Sequence, residues 1–387
     1  IVVRNGDDQD AEMVVDGNLQ VVHARFADAD FFIREDMDKK LEEFVPKLSQ
    51  LTFQKELGSM LDKTNRLQSL VEPIARRVGL EGGDLATAER VATLCKADLA
   101  SEMVVEMTAL QGIMGRYYAL GSGEPQAVAD GIYEHYLPRY AEDTLPESLA
   151  GTAVGIADRL DSLVGLFAVG LAPTGNKDPF ALRRSALGLV QILVEKKVDF
   201  NLTWALEQAA ALLPVASPAG TVQAAQEFIA TRLRGLLLDQ GKRYDVVDAV
   251  LKAQSDNPAK AAQNVEILSR WVANAVWTDL LPAYSRCYRI TRDLDVTYPV
   301  NPEKLQETEE FALHAAVCAA EEALRAKPDL EAALCQVRGL IDPINTFFNK
   351  VLVMAEDEAV RQTRLGLLQR VVMLLKPMAD LVTLEGF

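Results

Sequence analysis

From about Ala29 to the end of the chain, apolar residues recur every three or four positions with polar residues between them, the pattern of amphipathic helices. Leu182, Ala186, Leu189 and Leu193 fall at i, i+4, i+7 and i+11 and predict one buried helix face. Asp178 ahead of them is a good N-cap, and Pro179 suits the first helical position because its missing N–H would be unpaired there. DFFIREDMDKKLEEFVPKL (30–48) predicts a solvated helix with Phe32 as an aromatic anchor and Asp36, Lys39 and Lys40 on mixed faces. Breaks fall at EGGD (81–84), GSGEP (121–125), LPES (145–148), APTGNKDP (172–179), PVASPAG (214–220), SDNPA (255–259) and YPVNP (298–302). Their spacing suits helices of ordinary to long length, so a mainly α, bundle-like architecture is expected. Only residues 1–30 carry strand signals: IVVR, then MVV and LQVVHARF around an Asp16-Gly17 turn. The Pro/Ala/Gly-rich stretch 214–220 is the expected domain boundary, and no internal repeat or low-complexity tract is present.

A length of 387 residues predicts two or three domains, and 49% hydrophobic with 25% charged residues is ordinary for a soluble globular protein. The formal net charge of −16 disfavours general affinity for DNA or anionic membranes, while leaving room for a local basic surface facing RNA. Cys95, Cys287, Cys318 and Cys335 have no metal-ligand or disulfide-framework spacing, so reduced, buried thiols in an intracellular compartment are expected. The uncharged stretch 162–176 is too short for a membrane span and carries three glycines and a proline. The first residue is Ile, and IVVRNG reads as the interior of a strand, so a fragment or processed product is expected.

Little in the chain suggests self-contained catalysis. His23, His135 and His314 stand alone, without HxxxH or HExxH spacing, and read as surface or packing residues. There is no GxxxxGK[ST] and no GxSxG, and GSGEP reads as a turn. No catalytic residue and no metal ligand is expected. KADL (96–99) and IADRLDSL (156–163) bring Asp98, Asp158 and Asp161 into helical runs. Paired carboxylates there either bind a divalent ion or serve as ion-pair partners, and the second reading is favoured because a metal needs further ligands.

Arg183 and Arg184 sit about one turn into their helix, where the backbone dipole repels cations by a few tenths to about 1 kcal/mol if exposed. Adjacent helical residues point about 100° apart. A split is therefore expected, one arginine pairing with Asp158 or Asp161 and the other free for RNA. AYSRCYRITRD (283–293) places Tyr284 and Tyr288 at i, i+4 among Arg286, Arg289 and Arg292, which suits phosphate contacts and base stacking. A half-buried tyrosine pair with solvated arginines is the alternative. Lys350, Arg361 and Arg364 form a weaker set, because the two arginines follow Glu356, Asp357 and Glu358 on the same helix and can pair with them.

NKDPFALRRSALGLVQILVE (176–195) resembles the signature of the β subunit of bacterial-type glycyl-tRNA synthetase. So do, in the family's order, GNLQVVHARFADADFFIRED (17–36), TFQKELGSMLDKTNRLQSL (52–70), KADLASEMVVEMTALQGIMGRYYA (96–119), IADRLDSLVGLF (156–167), FIATRLRGLLLDQGKRYDVVDAVL (228–251) and FFNKVLVMAEDEAVRQTRLGLL (347–368). The resemblance implies the tail of an upstream tRNA-interacting domain with a short β/α remnant over 1–50. An HD-like helical domain over 51–215 and a helical, DALR-like anticodon-binding bundle over 216–387 would follow. KADL stands where an HD pair falls, with Ala97 in place of the histidine, and Asp158 where the terminal Asp falls, so scaffolding or tRNA binding is implied in place of hydrolysis.

The family further implies a tRNA-binding part of glycine–tRNA ligase, with ATP- and Mg2+-dependent glycylation on an α subunit or fused α region and no cofactor in this chain. Its partners would be tRNA(Gly) and that α portion, in a heterotetramer or a dimer of fused chains, in the bacterial cytoplasm or a plastid or mitochondrion. A metal-dependent HD-type phosphohydrolase and a purely structural subunit are the rival readings.

Overall fold

The computed structural model describes residues 10–387. Its helices, in chain order, are α1 (Ala11–Met37), α2 (Met60–Arg77), α3 (Gly82–Leu94), α4 (Glu102–Glu106), α5 (Ile113–Gly121) and α6 (Gln126–Glu134). Then come α7 (Leu149–Ala168), α8 (Leu182–Glu195), α9 (Leu202–Ala210), α10 (Thr221–Asp239), α11 (Tyr244–Gln254) and α12 (Pro258–Val272). The last five are α13 (Trp277–Thr291), α14 (Thr308–Ala326), α15 (Leu330–Gly339), α16 (Ile341–Lys350) and α17 (Glu358–Met373). Among the described residues the one sheet is a two-stranded antiparallel ladder, β1 (Thr52–Gln54) and β2 (Gly58–Ser59), with Thr52 opposite Ser59. Every sequence break falls at a helix end or in the connection between two helices, and the fold is mainly α as expected.

The chain divides into two compact units: one runs up to Ile192 and includes Thr203–Ala225, the other comprises Leu193–Leu202 and Gln226–Phe387. In the first, α2, α3, α6 and α7 pack on one another. α7 is buried along nearly its whole length, from Ala150 to Leu166. Its small residues let neighbours approach closely: a Cβ on Gly155 would lie 3.0 Å from both the His135 carbonyl and the Arg159 guanidinium. Ser148 caps the helix by accepting from the Gly151 N–H at 2.9 Å. In the second unit α13 packs on α16 and α17, α14 on α15, α16 and α17, and α11 and α15 on α12.

The expected strands MVV and LQVVHARF are instead part of α1; IVVR lies outside the described residues. The valine pairs at 14–15 and 21–22 give the strand signal, but they stand two helical turns apart. Val15, Leu19, Val22 and Phe26 fall at i, i+4, i+7 and i+11, a helical stripe that outweighs β propensity. The solvated helix expected over 30–48 ends at Met37, and Leu41–Gln50 continue as a 3-10 turn that accommodates Pro46. Asp36 is not on a mixed face but buried, accepting from the Glu102 and Met103 N–H groups at 2.9 and 3.0 Å and from the Tyr118 hydroxyl at 2.7 Å. It thereby anchors the end of α1 to the start of α4.

α8 starts at Leu182, three residues later than Pro179 at its first position would place it. The Asp178 carboxylate still caps it, accepting from the Leu182 and Arg183 N–H groups at 2.8 and 2.9 Å, while Ala181 at φ +54° makes the turn between. The stripe Leu182, Ala186, Leu189 and Leu193 is buried, as its spacing predicts. Of the cysteines, all free, Cys95 and Cys287 are buried, Cys335 is half-buried and Cys318 is exposed, which corrects the expectation of four buried thiols.

Candidate functional site

Two groups of side chains stand out in the sequence, and the structure gives them different characters. The first is the acidic cluster of the first unit. Asp161 on α7 accepts from Lys63 Nζ at 2.8 Å and from Arg66 Nε and a terminal guanidinium nitrogen at 2.6 and 3.2 Å. Asp158, one turn earlier, pairs with Lys63 and with Lys96, each at 2.8 Å. Lys96 also meets His135 Nε2 at 2.8 Å, and the other ring nitrogen of His135 meets the Ile132 carbonyl at 2.6 Å.

Burial works to raise the pKa of Asp158, but Lys63 and Lys96 hold it well below the carboxylate range. Burial likewise works to lower Lys63, and the two aspartates overcome it, so its pKa is raised. Burial and the neighbouring Lys96 hold His135 neutral, well below its ordinary pKa. The charges of Lys63, Arg66, Lys96, Asp158 and Asp161 are thus each compensated by the opposite sign at hydrogen-bond distance, a condition that lets charges persist in an interior.

Asp98 does not join this cluster. It accepts from the Gly112 and Gly115 N–H groups at 2.6 and 3.0 Å, and burial pushes its pKa up to about 6. Among the described residues no group of three His, Cys, Asp or Glu is placed to hold a metal. Arg159, between the two aspartates in sequence, turns to the carbonyls of His135, Gly155, Tyr136, Leu137 and Pro138 at 2.8–3.1 Å. Burial lowers its pKa to about 10.

Asp98 carries a pH prediction. Its unfolded value is 3.8 and its folded value is higher, so the unfolded chain releases this proton first as pH rises. The contribution is fully present below about 3.8 and is lost as pH passes the folded value. Between pH 4.5 and 7 the wild type is expected to lose about 2 kcal/mol relative to Asp98→Asn, in which this titration is absent. Urea midpoints of both proteins at the two pH values measure it, and parallel profiles would contradict it.

Neither Arg183 nor Arg184 reaches Asp158 or Asp161, whose oxygens are already occupied by Lys63, Lys96 and Arg66. The expected pairing with Asp158 or Asp161 is thereby corrected, although the two arginines do differ in their surroundings. Arg183 donates to the Gly175 carbonyl at 2.5 Å and lies 3.8 Å from Asp178. Arg184 is exposed and has no hydrogen bond or ion pair within the described residues.

The second group lies on α13. Tyr284 is only 2% exposed, and its hydroxyl donates to the Val372 carbonyl at 3.1 Å. It is core, which corrects its assignment to an RNA surface, because position 284 faces α17. Tyr288, one turn on, is half-buried with its ring edge-on to Phe387 at 5.4 Å. Arg286, Arg289 and Arg292 are exposed. Arg286 lies over the Phe348 ring at 4.4 Å and Arg289 near Phe387 at 5.9 Å, while Arg292 meets Asp293 at 3.2 Å.

Arg364 is the second correction. It is buried, its Nε bonded to Glu310 and a terminal nitrogen to the Leu352 carbonyl at 2.8 Å. Glu310 also accepts from the Gln306 and Glu307 N–H groups; burial opposes its ionisation, but these bonds and Arg364 hold its pKa below the usual value. Arg361 donates to the Ala355 carbonyl at 3.2 Å, and exposed Lys350 pairs with Glu309 at 3.5 Å.

The site therefore contains residues beyond those expected from the sequence. Lys63, Arg66 and Lys96 complete the polar centre of the first unit. Phe348 and Phe387 supply the flat faces beside the α13 arginines.

The family described as glycyl-tRNA synthetase beta subunit matches residues 1–252, and the family described as DALR anticodon binding domain matches residues 280–385. The chain is 44% identical over 390 residues to the glycine–tRNA ligase beta subunit of Moorella thermoacetica, covering 98% of this chain and 56% of the relative. It is 41% identical over 395 residues to that of Desulfitobacterium hafniense, with the same coverage. With the chloroplastic/mitochondrial glycine–tRNA ligase 2 of Arabidopsis thaliana it shares 38% identity over 389 residues, 100% of this chain and 36% of that protein. The chain spans little more than half the length of the bacterial relatives. Two-thirds of its residues match one family model, and a relative 44% identical to it covers 98% of its length; this chain belongs to the glycyl-tRNA synthetase beta-subunit family.

Proposed function

We propose that this chain is the tRNA-holding part of a glycine–tRNA ligase, positioning tRNA(Gly) so that its acceptor end reaches a catalytic centre on an α subunit or fused α region. The observation that carries this reading is the exposed row Arg286, Arg289 and Arg292 on α13, braced by Phe348 and Phe387, within the segment matching an anticodon-binding family. Guanidinium groups fix the RNA backbone, and aromatic faces and stacked arginines receive unstacked bases. Exposed Arg184 is a second candidate contact. Lys350 and Arg361 are further candidates; like Arg292, each has a protein partner. ATP and Mg2+ belong to the catalytic portion, and the bacterial cytoplasm or an organelle is the compartment of the whole enzyme.

The reading of the first unit as scaffold is supported by ammonium and guanidinium groups in its acidic centre, where Asp158 pairs with Lys63 and Lys96 and Asp161 with Lys63 and Arg66. Arg286→Ala with Arg289→Ala is expected to weaken tRNA(Gly) binding by tenfold or more, on the order of 1–3 kcal/mol per arginine. The slope of log affinity against log salt should fall by about 0.7–0.9 for each phosphate no longer neutralised. Filter binding at two salt concentrations measures both. Wild-type affinity and slope in the double variant would refute the assignment of this face, and no tRNA binding by the wild type at low salt would refute the function.

A further inference from the structure

The geometry points to a second RNA subsite in the second unit: a slot for one unstacked nucleotide whose base bears an exocyclic amino group. This rests on the reading of the chain as an RNA-holding subunit. The slot is a cavity of about 310 Å3 between the end of α12 and α15, lined by Arg270, Trp271, Asn274, Val276, Glu331 and Arg338. Its volume lies at the lower end of the range for small-molecule sites. Arg270 and Trp271 precede the segment that matches the anticodon-binding family, whereas Glu331 and Arg338 lie inside it.

The lining is built around three groups with capacity to spare. Arg338 is exposed and has no carboxylate partner within the described residues; its guanidinium rests near the Trp271 indole, 5.7 Å from the ring centre. That arrangement holds the guanidinium beside an aromatic ring, a platform on which a base can stack. Glu331 lies two helical turns before Arg338, on the same side of α15. It accepts from Trp271 Nε1 at 3.0 Å and from Arg270 at 3.2 Å, which fixes the carboxylate and leaves it further lone pairs. Asn274 Oδ1 accepts from the Val276 N–H at 3.0 Å, so its amide N–H groups keep no protein partner within the described residues.

These groups sort ligands by chemistry. A bare phosphate or a peptide carboxylate would gain the two arginines but meet the Glu331 carboxylate within the same cavity, so a simple anion is disfavoured. A nucleotide separates the two demands. Its phosphate takes Arg270 at the exposed rim, its base stacks on Arg338, and its amino group donates to Glu331. Asn274 donates to the adjacent ring acceptor. Uracil has a carbonyl where cytosine has its amino group, and would set oxygen against carboxylate. The slot therefore prefers cytosine over uracil.

Tryptophan fluorescence of the whole chain, titrated with hexacytidylate, hexauridylate and inorganic phosphate, tests this. Hexacytidylate is expected to quench an emission component absent from Trp271→Phe and to bind roughly tenfold more tightly than hexauridylate. Glu331→Gln is expected to erase the preference, and Arg338→Gln to weaken both oligonucleotides about tenfold. Equal affinity for the two, quenching that survives Trp271→Phe, or saturation by phosphate alone would overturn the slot. A parallel titration with tRNA(Gly) separates the failures. If the wild type binds the tRNA but does not distinguish the oligonucleotides, only the slot falls; if it binds neither, the RNA-holding function falls with it.

Discussion

Replacing Asp161 by alanine is expected to destabilise the first unit by about 3–5 kcal/mol, the usual consequence of removing one partner from a buried ion pair. The carboxylate is 1% exposed and receives Lys63 and Arg66 from α2 while sitting on α7, so it joins the two helices through charge as well as packing. Lys63 retains Asp158, but Arg66 keeps only the Leu57 carbonyl at 2.9 Å and becomes a nearly unpaired interior cation. A loss of this size is a large fraction of the 5–15 kcal/mol that holds an ordinary domain together. Hydrogen exchange localises it: amides of α2 and α7 should exchange about a hundredfold faster or more. The double variant Arg66→Met, Asp161→Leu, which removes both members, should recover much of the loss. If Asp161→Ala left exchange in these helices unchanged, the charge cluster would not be what joins them.

The second large effect separates structure from the proposed contact with RNA. Arg364→Ala is expected to destabilise the second unit by about 3–5 kcal/mol, because it strands Glu310 in the interior and frees the Leu352 carbonyl. Faster exchange in α14 and α17 is the measurement. With the protein kept folded at low temperature, tRNA affinity should stay within twofold of the wild type, since a guanidinium only 5% exposed has no face to offer a phosphate. A selective loss of affinity with normal exchange would return Arg364 to the RNA surface.

These two residues show what was legible in the sequence. The breaks between helices were, because turn residues and caps act locally: Ser148, Asn257 and Asp357 each cap the helix that follows them. The buried stripe of α8 was, since 3.6-residue periodicity needs no partner to be recognised. Which cation meets which carboxylate was not. Asp161 and its partners on α2 are separated by 95 and more residues, and Glu310 and Arg364 by 54. Sequence offers only the local alternatives, and for Arg364 those are Glu358 and its neighbours. One trace was available: Lys63 shares the i, i+4, i+7, i+11 stripe of Leu67, Leu70 and Ile74, all buried, and a basic residue within a core stripe announces an interior acid. α1 misleads for the opposite reason, because valine pairs read as strand wherever the window is short.

The placement of His135 has a consequence for how the interior responds to its surroundings. With Nδ1 facing a carbonyl at 2.6 Å and Nε2 facing the Lys96 ammonium, only one tautomer satisfies both neighbours, the one with its hydrogen on Nδ1. A second proton would have to displace a lysine that is itself held by Asp158. The imidazole is thus a fixed acceptor and not an exchangeable base. A drift of the surrounding medium across the neutral range, which titrates most histidines, leaves this ring uncharged.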